Sequence, residues 1–106
     1  MRLISLDSVD STSDELIRRV VRGERLPIAV VSRVQTAGRG RRGRVWASPE
    51  GGLWMSVGAA SDGPMGGALA LRLGLAICEV LAAAVGVRAR VKWPNDVLVD
   101  GLKLAG

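Results

Sequence analysis

Apolar and polar positions along the chain repeat with two different periods, and each change of period marks an element. Leu3-Ile4-Ser5-Leu6 reads as a short strand. From Asp10 the pattern turns helical. Thr12 stands as N-cap with Glu15 three residues on, a capping box, and Asp14 adds negative charge to the first turn. Leu16, Ile17, Val20 and Val21 form the stripe expected to be buried, Arg18, Arg19 and Arg22 the outer face, and Gly23 the stop. After Leu26-Pro27, the run from Ile28 to Val34 is almost continuously apolar and rich in β-branched residues. That predicts a central strand covered on both faces. Leu53 to Ala59 alternates as a second strand, with Leu53, Met55, Val57 and Ala59 on one face and Trp54 and Ser56 on the other.

A long helix is expected from roughly Met65 to Val85, with Gly86 just past its end. Leu69, Leu73, Ala76, Ile77, Val80 and Leu81 recur at helical spacing and should form the face against the sheet. Arg88 to Trp93 reads as a strand ending at Pro94. Asp100-Gly101 between alternating apolar residues then signals a two-residue type I′ hairpin turn. Such a turn pairs Val99 with Leu102, Leu98 with Lys103 and Val97 with Leu104. Asp96, Leu98, Lys103 and Ala105 then share a side, with Asp96 and Lys103 as diagonal neighbours.

Composition narrows the chemistry. With 106 residues the chain is one domain at most, and it contains no His, Tyr or Phe. A His-based acid–base pair, a His metal site and a Ser/His/Asp triad are therefore excluded within it. The single cysteine, Cys78, lies in the apolar helical run and reads as a small core residue; alone it forms neither a disulfide nor a CxxC site. The N-terminus lacks the apolar core of a signal peptide, and Arg72 and Glu79 interrupt the segment from Gly66 to Val87, making it a poor membrane span. A cytoplasmic protein without membrane contact is the expectation.

The net charge of +5 is focused. Four arginines lie within the six residues 39–44, interleaved with glycines, in Gln35-Thr36-Ala37-Gly38-Arg39-Gly40-Arg41-Arg42-Gly43-Arg44-Val45-Trp46. Glycine lets the backbone approach a ligand closely, and arginine forks match phosphate and carboxylate oxygens. The stretch reads as a mobile loop that closes over an anion, a nucleotide-phosphate site with Trp46 at its far end. Gly38-x-Gly40-x-x-Gly43 spells a dinucleotide fingerprint, but the breaker cluster Ala47-Ser48-Pro49-Glu50-Gly51-Gly52 forbids the helix that should follow, and no Walker Gly-Lys-Ser/Thr is present. An Arg-Gly segment binding RNA backbones and a plain solvated loop stand as alternatives.

Four stretches in this order, Asp10-Ser11-Thr12-Ser13, the loop just quoted, Lys92-Trp93-Pro94-Asn95-Asp96-Val97 and Gly101-Leu102-Lys103-Leu104-Ala105-Gly106, resemble the biotin protein ligase family. The resemblance covers almost the whole chain. It implies an α+β fold like the class II aminoacyl-tRNA synthetase core, a mixed, mostly antiparallel sheet with packed helices. Residues 1–106 would then be the N-terminal part of the catalytic domain, incomplete on its C-terminal side, where family members continue into further strands. The hairpin would lack a neighbour.

The implied chemistry has two steps: biotin's carboxylate attacks the α-phosphate of ATP with Mg²⁺ assisting, and a lysine of a biotin carboxyl carrier protein domain then takes the biotinyl group. By position, Ser11, Thr12, Ser13 and Gln35 should meet the ureido end of biotin. Gly38, Arg39, Gly40 and Arg41 should wrap the phosphate and acyl-adenylate, in a loop disordered until ligand arrives. Arg42 and Arg44 support the loop, and Arg42 also counts among the nucleotide contacts, with Trp46 on adenine and Asn95 and Asp96 near the nucleotide. Lys103, with Arg39 and Arg41, carries the catalytic role. Ser13 stands where the family usually has Asn. No resident metal is implied, a homodimer is allowed, and with no helix-turn-helix before Asp10, DNA binding is not expected.

Overall fold

The computed structural model describes residues 1–64, 66 and 68–106, and they form two compact units, Met1–Ala60 and Ser61–Gly106.

In the first unit β1 (Arg2–Val9), α1 (Thr12–Val21), β2 (Ile28–Gln35) and β3 (Trp54–Gly58) follow in order, with one 3₁₀ turn at Arg41–Gly43. β1 runs parallel to β2, and β3 antiparallel to it, in the order β1-β2-β3. The apolar run at 28–34 is the middle strand, as its composition requires: Ile28, Ala29 and Val30 are buried, and Ser32 with them.

Helix α1 departs from the pattern reading in two respects. Its N-cap is Ser11, whose hydroxyl accepts from the Asp14 N–H, so Thr12 lies one residue inside the helix and no capping box forms. Glu15 instead takes Arg18 at 3.0 Å and Arg19 at 2.7 Å. The helix also presents a different face. Thr12 is buried and Leu16 and Arg19 are half-buried, whereas Ile17, Val20 and Val21 of the expected stripe are exposed. Thr12 is tied to β2 and β3 by hydrogen bonds, which sets the rotation so that positions 12, 16 and 19 turn inward. On β3 the alternation is as expected, and Trp54, Ser56 and Gly58 are the half-buried side.

The second unit is α2 (Ala68–Val85), β4 (Arg90–Lys92), β5 (Asp96–Val99) and β6 (Leu102–Ala105), an antiparallel sheet in the order β4-β5-β6 with α2 against β4 and β5. Among the described residues the sheets are thus two, one mixed and one antiparallel, in an α+β arrangement. The expected helix start at Met65 lies outside the described residues. The inward face of α2 is Leu71, Gly74, Cys78 and Leu81, with Leu69 and Ala70 at its start; of the expected face Leu69 and Leu81 are half-buried, whereas Leu73, Ala76, Ile77 and Val80 are exposed. Gly74 decides this: a Cβ there would stand 3.3 Å from Val91 Cγ2, so the helix approaches the sheet at its smallest residue. With 18 residues and a mean hydropathy of 2.0, α2 is by length and composition long and apolar enough to cross a membrane, despite Arg72 and Glu79; it rests on β4 and β5 along one face, with Gly74 its buried residue.

Asp100 (φ 51°) and Gly101 (φ 77°) form the expected left-handed turn. Beyond it the register corrects the sequence reading. Val99 pairs with Leu102 and Leu98 with Lys103, but Val97 pairs with Ala105, so Leu104 is the extra residue of a bulge.

Candidate functional site

Parallel pairing puts the carboxyl ends of β1 and β2 side by side, with Val9 opposite Gln35. The chain leaves β1 there to begin α1 and leaves β2 there to begin the arginine loop. The Thr36 N–H donates to Val9 O at 2.9 Å and the Ala37 N–H to Asp10 O at 2.8 Å, which fastens the two exits together. Thr12 therefore meets Gln35, whose side-chain amide borders Gly38, as open α/β sheets gather ligand residues at strand carboxyl ends.

Their hydrogen bonds form one directed chain. Thr12 gives both its N–H (2.7 Å) and its hydroxyl (3.0 Å) to Gln35 Oε1. With that proton committed, the Ser56 hydroxyl donates to Thr12 Oγ1 at 2.8 Å, and Ser13 donates to Ser56 at 2.9 Å. On the other side the Gln35 amide donates to Ser48 Oγ at 2.9 Å, and Ser48 donates to Trp46 O at 3.0 Å. The relay runs from Ser13 to the backbone of Trp46. The hydroxyl protons are used internally, so the hydroxyl oxygens keep lone pairs for ligand N–H groups.

The loop folds back on itself. Gln35 bridges Ser48 and Arg39 bridges Val45, the Trp46 N–H donates to Gly38 O at 2.8 Å, and the Gly40 N–H to Arg44 O at 2.7 Å. Arg42 at the tip takes φ 59°. The Trp46 ring borders Gly40. Arg39, Arg41, Arg42 and Arg44 are all exposed, and Arg39 forks onto Asp14, with Nη1 and Nη2 at 2.8 and 2.6 Å from the two carboxylate oxygens. That pairing raises the pKa of the guanidinium. Asp10, beneath, is forked by Arg18 at 3.0 and 2.7 Å; Arg18 first, then the Ser11 N–H, lowers its carboxyl to about 2.

The second unit holds the other group. Lys103 Nζ lies 3.0 Å from Asp96 Oδ1, the diagonal contact expected of the hairpin, and Asn95 is half-buried in the preceding turn. A Cβ on Gly106 would come within 2.8 Å of Asp96 Oδ1 and 2.7 Å of Lys103 Cε, so a side chain there would displace the pair. A cavity of about 440 Å³ lined by Arg88, Arg90, Leu98, Asp100 and Gly101 shares no residue with either group.

Three contributors escaped the sequence reading. Ser56 carried a signal, as the one hydroxyl in an otherwise apolar strand. Ser48 was hidden in the breaker cluster, and Asp14 read as a helix-dipole charge.

An arginine-rich loop thus lies beside a hydroxyl and amide relay, and the comparisons place the chain in a family. The profile of the biotin/lipoate A/B protein ligase family matches residues 7–106, and the chain belongs to that family. Over 95% of its length it is 42% identical to the biotin--[acetyl-CoA-carboxylase] ligase of Paracoccus denitrificans, covering 43% of that protein. Over 95% it is also 41% identical to the bifunctional ligase/repressor BirA of Escherichia coli, covering 32% of it. Among solved structures, the biotin protein ligase of Aquifex aeolicus in complex with biotin and ATP superposes over 96% of the chain and 43% of its own, with a TM-score of 0.82 and 37% identity. The Helicobacter pylori biotin acetyl coenzyme A carboxylase synthetase with bound biotinylated ATP gives 0.84 at 31% identity, over 96% of this chain and 51% of that one. The fold these neighbours share is consistent with the class II synthetase-like α+β core. The chain spans between 23% and 51% of the length of these and similar relatives.

Proposed function

We propose that the chain supplies the biotin-capturing and biotin-activating residues of a biotin–protein ligase. What supports this is the meeting of the Ser13–Ser56–Thr12–Gln35 relay with an arginine loop at the ends of two paired strands. The relay's oxygens suit the N–H groups of biotin's ureido ring, with Ser11 beside them. Gly38, Arg39, Gly40 and Arg41 serve the acyl-adenylate, with Arg42, Trp46 and Asn95 toward the nucleotide. Lys103, oriented by Asp96, offers a compact positive charge to the biotin carboxylate or the α-phosphate.

The reaction is a balanced displacement. A carboxylate oxygen of biotin bonds to the α-phosphorus while the bond to the β-phosphate oxygen breaks, and pyrophosphate leaves. An acceptor lysine amine then attacks the acyl carbon, and AMP leaves. The protein's part is alignment and charge screening, which needs no histidine. Mg²⁺ enters this reading together with ATP, as a counter-charge to its phosphates. The acceptor is a carboxylase's biotin carboxyl carrier domain, met in the cytoplasm, with a second copy of the chain as a further partner.

Calorimetry with biotin, with and without Mg-ATP, tests the reading. Biotin binding that tightens with ATP is expected, and Lys103→Ala should abolish pyrophosphate release while leaving the circular dichroism unchanged. No heat with biotin, alongside salt-steep binding to RNA, would replace the ligase by a nucleic-acid module.

A further inference from the structure

We infer that Asp14 is a positioning residue that holds Arg39 in place for an anionic ligand. The inference rests on the ligase reading for the identity of that ligand, but the contact itself belongs to the protein alone. Arg39 lies between Gly38 and Gly40, so neither sequence neighbour has a side chain to restrain it. Its guanidinium is fixed from outside, through Nη1 and Nη2 onto both oxygens of Asp14. Asp14 is in turn fixed by its place in α1, where its N–H caps onto Ser11 Oγ, two residues from buried Thr12. Both ends of the pair are rooted in strands that are paired to each other.

The geometry favours positioning over competition. A guanidinium has five N–H donors on two usable edges, and a carboxylate on the two terminal nitrogens occupies one of them. The edge made by Nε–H and its neighbouring N–H remains, and Nε makes no hydrogen bond among the described residues. Phosphate or acyl-phosphate oxygens can take that edge while Asp14 keeps the other. The ligand then meets an arginine already oriented beside the relay, and the loop need not first open.

The test uses the full chain with Asp14→Asn, Asp14→Glu, Arg39→Gln and the double variant Asp14→Asn/Arg39→Gln. Without ligand, tryptic cleavage after Arg41, Arg42 and Arg44 should rise about tenfold in Asp14→Asn and in Arg39→Gln. The double variant should be no faster than either, and Asp14→Glu should stay near the wild type. Unchanged cleavage in Asp14→Asn, or additive rates in the double variant, overturns the inference. Should Asp14→Asn lose its helix by circular dichroism, Arg39→Gln against Asp14→Glu decides in the same way. With ligand, the half-saturating ATP concentration should rise about tenfold in Asp14→Asn with biotin affinity alone unchanged, and return in Asp14→Glu. Tighter ATP binding in Asp14→Asn would make Asp14 a competitor and refute positioning. If the wild type ignores biotin and ATP, the ligase reading fails by itself, and the cleavage arm still decides the role of Asp14.

Discussion

Gly38→Ala is the single-methyl change to which the site should be most sensitive. The added Cβ would stand 2.6 Å from Trp46 O, 2.6 Å from Ser48 Oγ and 2.9 Å from Gln35 Nε2, where ordinary contact begins at 3.4 Å. The Trp46 carbonyl would have to retreat by 3.4 − 2.6 = 0.8 Å. It cannot move alone, because the Trp46 N–H donates to Gly38 O, Ser48 donates to Trp46 O, and Gln35 donates to Ser48. Three hydrogen bonds are strained together, at roughly 0.5–1.5 kcal/mol each, so about 2–3 kcal/mol of stability should be lost. For a chain of this size that lowers Tm by about 10 °C or more. Gly38 is not among the positive-φ residues, so the loss is steric. Gly43→Ala is the control: it has φ 71° and nothing within 4 Å of its Cβ, and should lose only about 1 kcal/mol to left-handed strain. Thermal and urea unfolding followed by tryptophan fluorescence reads both. An unshifted Gly38→Ala, or Gly43→Ala proving the worse, would refute the account of the loop's closure.

Thr12→Val keeps the side-chain shape but removes the hydroxyl joining Gln35 to Ser56; we expect a loss of about 1–2 kcal/mol in denaturant unfolding, with weaker biotin binding, both restored in Thr12→Ser. Asp10 is held at about 2, below its free value, so its contribution to stability is present above about pH 4 and disappears as the pH falls from there toward 2. Carboxyl NMR should show Asp10 titrating near 2, and Arg18→Gln should move that titration upward. At the hairpin, Gly101→Ala meets φ 77° and should lose about 1 kcal/mol, while Asp100→Asn, equally at home in a left-handed turn, should leave the unfolding midpoint unchanged.

The parts of the fold that were legible in the sequence rest on strong local chemistry. The run at 28–34 had to be a covered strand, and Asp100-Gly101 had to turn, because few residues accept that backbone. The Asp96–Lys103 contact followed from the turn alone. The bulge at Leu104 did not, because apolar alternation continues unbroken through it. Of the candidate site, the sequence showed one part. Ser11, Thr12, Ser13 and Gln35 announced themselves by type and by their motifs, whereas Ser48 and Ser56 belong to it through pairings with Gln35 and across the β2–β3 ladder. Only the folded chain states those pairings.

The two helices show why periodicity named apolar faces that the fold does not bury. On α1 the apolar stripe is real, but a helix has one rotation, and Thr12 fixes it through two hydrogen bonds to Gln35 and one to Ser56. Each of those partners, left unsatisfied in a half-buried site, would cost about 1–3 kcal/mol, comparable to what burying one more aliphatic side chain returns. Polar anchoring therefore wins, and Ile17, Val20 and Val21 are left outside. On α2 apolar residues occur all round, so their spacing cannot rank the faces. The face that packs is the one allowing closest approach, through Gly74 onto Val91. In each case one small or polar residue set the rotation, and the larger apolar residues followed it.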